Sequence, residues 1–463
     1  MAAPSSAPES GGLLTIAWRV FRVGLGIAPL FVVPILLLLL DRADVVELDE
    51  RFSCWGTCHV LLIANLALYW VVTSAVAAGF VHRRAVIGFC RRRRGALIAM
   101  AASGVFGLVA AEVALRSSSL PVSVQEFRWP GSRDLHHTNL VTDAAHHRGV
   151  FIRTNADGHR TGYTPEQFRQ HQVRVVTVGD SFLFGPGVEE PGISTSVLER
   201  GLRERAGGAD VAVLNTGVAS YSPLLQRAAF PAIVRDYRPT VTLLFLDPND
   251  IGDDYKYAQD SVSGDPGRPE FEAEDYAPVD SALLRLLEPL LFRVSVPFTV
   301  IQSFTDGPTG GADGYYDFHV NIGGVEETNR WFILRHPLEL TRPHFDRTFS
   351  YVKDIAAEAR SNGSEFVLVI CARYFHWSDR ECPRDFAASR YRHDEPHEMA
   401  IFEYFESVRD QVDFRIFSLL PAFEASEEFP LVFDTDPHWN AAGHQVVGEA
   451  LADYLSSEGL VGR

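Results

Sequence analysis

The chain has 463 residues, 46% of them hydrophobic, and a formal net charge of −17. The charge is unevenly spread: residues 1–116 hold 11 Arg against 7 acidic residues, net +4, while the remainder holds 31 basic and 52 acidic residues, net −21. That acidic remainder argues against a nucleic-acid partner, which needs a basic face. Five cysteines are too few for a disulfide scaffold.

Three runs in the first 116 residues carry almost no charge. Residues 23–40 are all apolar, 60–81 lack any charged side chain, and 95–115 hold only Glu112. A bilayer core needs about 20 apolar residues in helix, so the reading is three transmembrane helices. No small-residue cleavage site follows Leu40, which favours a span over a removed signal peptide. Arg19 and Arg22 precede the first run, and Arg83, Arg84 and 91–94 lie between the second and third. The loop between the first two is acidic, with Asp41, Asp44, Glu47, Asp49 and Glu50. Positive residues stay inside, so everything after Arg116 is expected on the outer side of the inner (cytoplasmic) membrane. Glu112 reads as an interfacial residue. Cys54 and Cys58 sit in one short loop, and Cys371 and Cys382 flank another; spacing leaves open whether either pair is a disulfide.

Residues 117–150 read as a linker and lead-in. Their two His pairs, His136–His137 and His146–His147, read as solvated loop residues rather than a metal site. From 173 onward, short apolar strands alternate with helical patterns. Strands are expected at 173–178, 211–214, 241–246 and 366–370, with a weak fifth at 414–417. Helices are expected over 193–206, 224–237 with Pro231 as a kink, 349–359, and from a cap at Asn440 onward. This alternation means a parallel sheet with helices on both faces. Ligands of such sheets bind beyond the carboxyl ends of the strands. Residues 252–345 break the pattern and read as a long insertion.

The segments after the strands carry the chemistry. Gly179-Asp180-Ser181-Phe182 follows the first, putting a serine on a tight strand-to-helix turn. Asn215 to Pro223 follows the second, Asp247-Pro248-Asn249-Asp250 the third, and Asp434-Thr435-Asp436-Pro437-His438 precedes the last helix. A serine nucleophile needs a base, and His438 is the candidate. An acid must orient that base; Asp436 is preferred to Asp434 because a D-x-H turn brings both to one side. A tetrahedral intermediate needs oxyanion donors. The candidates are the Ser181 N–H, the second-strand loop and the Asn249 side chain. Asp180, Asp247 and Asp250 read as capping or loop residues, His444 as a neighbour of the site, and His393 with His397 as surface residues. No HExxH, P-loop or GxSxG motif occurs, and neither metal nor cofactor is expected.

These blocks resemble the SGNH/GDSL hydrolase superfamily over roughly residues 150–460, less the insertion. The resemblance implies a flavodoxin-like three-layer α/β/α sandwich, here preceded by the three transmembrane helices. It implies Ser181 as nucleophile, His438 with Asp436 as base and acid, and Asn249 as the third-block Asn. The segment Asn155-Ala156-Asp157-Gly158-His159-Arg160 resembles a lead-in of membrane-linked bacterial members. Two departures stand out. The family's second-block Gly, five residues after Asn215, is Ser220 here, while Gly217 lies earlier; both loop positions are kept as oxyanion candidates. The D-x-H spacing resembles the branch of polysaccharide O-acetylation proteins. The implied activity is an extracytoplasmic esterase acting on acyl, first of all acetyl, esters of a small molecule or glycan. An O-acyltransferase, working with an acyl-donor membrane partner, and a non-catalytic envelope scaffold are the alternatives. The organisation is thus 1–116 anchor, 117–150 linker and 151–463 hydrolase-like domain, with the insertion at 252–345.

Overall fold

The computed structural model describes residues 13–29, 31–33, 35–36, 57–81, 83–118, 120–123, 125, 127–205, 208, 210–265, 268–272, 281–291, 319–385 and 396–461. It falls into two compact units: residues 1–125 with 279–311, and residues 126–278 with 312–463.

The larger unit is built on a five-stranded sheet. Its strands are β1 (Val173–Val178), β2 (Val211–Asn215), β3 (Val241–Leu246), β4 (Glu365–Ile370) and β5 (Arg415–Ser418). All pair in parallel, in the order β2-β1-β3-β4-β5, the flavodoxin-like arrangement. Every residue of β3 (VTLLFL) is buried, as a strand covered on both faces requires. Right-handed crossovers to either side of β1 put successive helices on opposite faces. Helix Ser194–Arg205 accordingly packs on the last helix, Ala441–Ser457, while Pro223–Tyr237, which runs through Pro231, packs on Leu338–Ser361. Asn440 starts the last helix by accepting hydrogen bonds from Ala442 N–H and Gly443 N–H at 2.9 and 3.1 Å.

Three details differ from the sequence-based expectation. The fifth strand is shifted one residue, to Arg415–Ser418. The segment 252–345 is more ordered than its composition suggests. Helix Asp250–Asp260 enters it, the hairpin Val320–Ile322 with Val325–Glu327 lies inside it, and Leu338–Ser361 begins eleven residues before 349. Of the paired histidines, His137 is not solvated: it is 6% exposed, and its Nε2 bonds the Ala219 carbonyl at 2.5 Å. Its Nδ1 lies 2.8 Å from His136 Nδ1, a bond two neutral imidazoles make when His136 donates.

In the smaller unit, helix Arg94–Arg116 spans 23 residues, and its 18-residue apolar window has a mean hydropathy of 2.0 with none of it buried. By length and composition it can cross a membrane, the one such helix among the described residues. Helix Thr57–Val81 contains a shorter apolar stretch, Leu66–Val81. Of the expected first span, helix Leu13–Ile27 covers the start; residues 37–40 lie outside the described part, as does Cys54. Those two helices pack closely at Gly24, whose carbonyl accepts from Trp70 Nε1 at 2.9 Å and where a Cβ would meet Ser74 Oγ at 3.0 Å. A small residue at this point lets the two helices approach closely.

Candidate active site

The nucleophile turn is built by its neighbours. Asp180 caps the short helix Ser181–Phe184 through a 2.9 Å bond from Phe182 N–H. A Cβ on Gly179 would stand 3.0 Å from Phe245 and 3.1 Å from Leu183, so glycine there lets the turn pack closely on both. The far end of the turn is clamped by Arg160, 2% exposed. Its guanidinium donates to the carbonyls of Phe184, Gly185 and Val188 at 2.5–2.6 Å. That is the task of Arg160 in the lead-in: a cation among the free carbonyls of a helix C-terminus.

His438 Nε2 lies 2.7 Å from Ser181 Oγ, and its Nδ1 bonds Asp436 Oδ1. The same carboxylate oxygen accepts the His438 backbone N–H at 2.9 Å, so the D-x-H turn fixes ring and acid together. The ring of Phe182 stacks on the imidazole at 4.6 Å. The second Asp436 oxygen pairs with Arg148. Arg148 and Gly149 form the two-residue turn of the hairpin Ala145–His147 with Val150–Ile152, at φ +46° and +84°, the conformation such tight hairpins need. Burial holds the pKa of His438 well below its ordinary value, and the charges of Arg148 and Arg373 push the same way. The ring is therefore neutral and able to accept a proton. Asp434 is half exposed and pairs instead with Arg384.

The donor candidates separate. The N–H of Gly217 bonds Asn215 Oδ1 at 2.9 Å, so this glycine is not an oxyanion donor; a Cβ there would sit 2.7 Å from Phe184 N and 2.9 Å from the Asp180 carbonyl. Its place is to let the second-strand loop lie against the nucleophile turn. Ser220 is half-buried, and its N–H has no bond among the described residues. Its φ of +57° is in the left-handed region that a glycine would enter freely. Asn249 accepts from Arg373 Nη2 at 3.2 Å and donates from Nδ2 to Asp253 at 2.9 Å. Its amide orientation is thereby fixed, and a second N–H remains on the nitrogen.

Arg373 was not singled out by the sequence. It is 4% exposed, three residues past β4, forked onto Asp247 at 2.7–3.0 Å. Its guanidinium lies 4.2 Å from the Phe182 ring and 4.8 Å from that of Trp331. Asp247 thus anchors a buried cation, while Asp180 and Asp250, each fully buried, have an oxygen with no partner. Burial, with the Asp247 charge beside it, pushes Asp180 up to about 8; burial also raises Asp250 well above the carboxylate range. The protonated form is favoured at both, while Asp247 and Asp253 pair with Arg373 and Arg330.

His444 is buried and structural: its Nδ1 accepts Ser194 N–H at 3.1 Å. His393 lies outside the described residues. Cys371 and Cys382 are buried free thiols. Among the described residues no group of three or more His, Cys, Asp or Glu side chains is arranged to hold a metal. A cleft of about 580 Å³ lies apart from the triad, lined by Tyr163, Gln167, His171 and Glu199 among others.

Fold and site together define an α/β protein with a Ser–His–Asp constellation at the carboxyl edge of a parallel sheet, carried on GDS, Asn and D-x-H blocks. No family model matches the chain, and no curated protein does. Similar solved structures include a lipase/acylhydrolase from Enterococcus faecalis, with a TM-score of 0.33 at 10% identity over 62% of this chain and 97% of that one. Another is the esterase EstA from Pseudoalteromonas sp., with a TM-score of 0.31 at 9% identity over 61% and 97%. A third is a catalytic mutant of Axe2, an acetylxylan esterase from Geobacillus stearothermophilus, with a TM-score of 0.32 at 11% identity over 62% and 93%.

Proposed function

We propose that the protein is a membrane-anchored serine esterase acting on acyl esters, acetyl esters of a small molecule or glycan first among them. The observation that carries this reading is the 2.7 Å contact between His438 Nε2 and Ser181 Oγ, with Asp436 on the far side of the ring. In the proposed reaction Ser181 Oγ attacks the acyl carbonyl carbon while His438 takes the hydroxyl proton. The Ser181 N–H, the Ser220 N–H and the Asn249 amide bind the oxyanion. The intermediate collapses, His438 protonates the departing alcohol oxygen, and the acyl group stays on Ser181. A water then attacks this acyl-enzyme, giving its proton to His438, and the acid is released as Oγ is reprotonated. Three spans, with the catalytic unit outside the cytoplasmic membrane, are the arrangement that the basic residues of the first 116 favour.

The test is turnover of p-nitrophenyl acetate by the full-length protein in detergent micelles, beside Ser181→Ala. Turnover lost in the variant, with fluorophosphonate labelling confined to Ser181, is the expected result. Absence of both turnover and labelling in the unsubstituted protein would sink the enzyme reading in favour of an envelope scaffold. Acyl transfer to an added glycan that outpaces hydrolysis would reassign the enzyme as an O-acyltransferase.

A further inference from the structure

One piece of the inserted segment belongs with the membrane unit rather than with the sheet. Helix Ala282–Leu291 (ALLRLLEPLL) packs on Arg94–Arg116, on Thr57–Val81 and on the short helix Leu120–Ser123. Its start is closed by a side chain from the spanning helix. Glu112 accepts from Ala282 N–H at 2.9 Å, from Leu283 N–H at 2.8 Å and from Ser281 Oγ at 2.8 Å. Ser281 Oγ in turn accepts Leu284 N–H at 3.1 Å, and Arg285 N–H bonds the Ser281 carbonyl at 2.9 Å. Three of the N–H groups that a helix start normally leaves to water, those of Ala282, Leu283 and Leu284, are thus satisfied by protein, and Arg285 N–H makes the first regular helical bond. Such capping by protein suits a helix that begins where water is scarce.

The depth agrees. Glu112 lies one turn before Arg116, about 6 Å along the helix axis at 1.5 Å per residue. None of the apolar window below it is buried, which on the membrane-anchored reading leaves most of that surface to lipid. At the described start of helix Ala282–Leu291, positions 283, 284 and 286 fall on one arc and the charged 285 on the other. Leu284 is 45% exposed.

Resting on the membrane-anchored reading above, we infer that helix Ala282–Leu291 is a membrane-interface helix whose arc of Leu283, Leu284 and Leu286 lies in the headgroup–acyl boundary, held there by Glu112. The partner is the lipid bilayer.

The test uses full-length protein in phosphatidylcholine/phosphatidylglycerol liposomes, with Cys54, Cys58 and Cys90 replaced by serine. A spin label at Leu284→Cys is compared with one at Val262→Cys, an exposed position in the sheet-bearing unit. Greater accessibility to oxygen than to a water-soluble nickel chelate at 284, reversed at 262, is expected. In Glu112→Ala, and more weakly in Ser281→Ala, the label at 284 should move toward the nickel-accessible state. Nickel access at 284 in the parent protein would overturn the proposal. Lipid contact unchanged in Glu112→Ala would overturn the anchoring role. Labelling of Ser181 by fluorophosphonate, followed in the same samples, keeps these outcomes separate from failure of the esterase reading.

Discussion

Arg373 joins three parts of the site: it forks onto Asp247, holds the Asn249 carbonyl and lies under Phe182, whose other face carries His438. Lysine keeps the charge but cannot make that fork. Arg373→Lys is therefore expected to lower kcat with little change in KM for a small ester. Losing one oxyanion donor typically costs about 100-fold or more. Adding Asn249→Ala to Arg373→Lys should cost little beyond Asn249→Ala alone, which a double-mutant cycle measures. Arg148 acts through charge. His438 must be neutral to accept a proton, so turnover falls as pH drops through its pKa. Arg148 helps hold that pKa down; Arg148→Gln removes the charge, the pKa rises, and the acid limb of kcat/KM against pH moves to higher pH. An unmoved limb would leave Arg148 a purely structural residue. At Ser220 a side chain sits at φ +57°, which costs roughly 1 kcal/mol relative to glycine. Ser220→Gly should raise the unfolding midpoint while leaving the N–H in place and turnover intact.

At the scale of elements, the ends of β1 and β3 and the start of helix Asp250–Asp260 gather carboxyls that the surrounding strands bury. Asp180 is pushed up to about 8 and Asp254 to about 7, in both cases chiefly by burial. Between their ordinary value of 3.8 and these values, the folded state holds protons the unfolded chain has released, so their contribution to stability falls as pH rises. Buried His137, His159 and His376, held down to about 4, act with the opposite sign, but only up to 6.5, where the unfolded chain also becomes neutral. Above 6.5 the carboxyls act alone. The thermal midpoint should therefore fall between pH 6.5 and 8, and Asp180→Asn should flatten that fall. Much of this architecture was legible: Val-rich runs at 173–178 and 241–246 mark buried strands, and Ser181, Asp436 and His438 sit in local motifs at element ends. Arg148 and Arg373 were not, because their partners are 288 and 126 residues away and nothing local announces them. The pair at 136–137 misled for the same reason, since the Ala219 carbonyl that buries His137 lies 82 residues on. Helix Ala282–Leu291 was hidden in a stretch whose flanks carry no period.

At the scale of the molecule, the compact units do not follow chain order, because residues 279–311 group with the first 125. A chain lacking only residues 1–125 should expose the leucines of 282–291 and aggregate on size exclusion. One lacking 279–311 as well, bridged by a Gly-Ser linker, should be monodisperse and still labelled at Ser181. The triad itself is assembled from distant parts: Ser181 meets His438 across 257 positions, and Arg148 meets Asp436 across 288. Contacts of such separation bring loop-closure entropy with them and tend to form late. On the proposed mechanism the serine is then activated only after the last helix has docked, so a nascent or half-folded chain would carry a serine no more reactive than any other. During refolding from denaturant, helical signal should return before fluorophosphonate reactivity does. The interval between the two would time the closing of the chain upon itself.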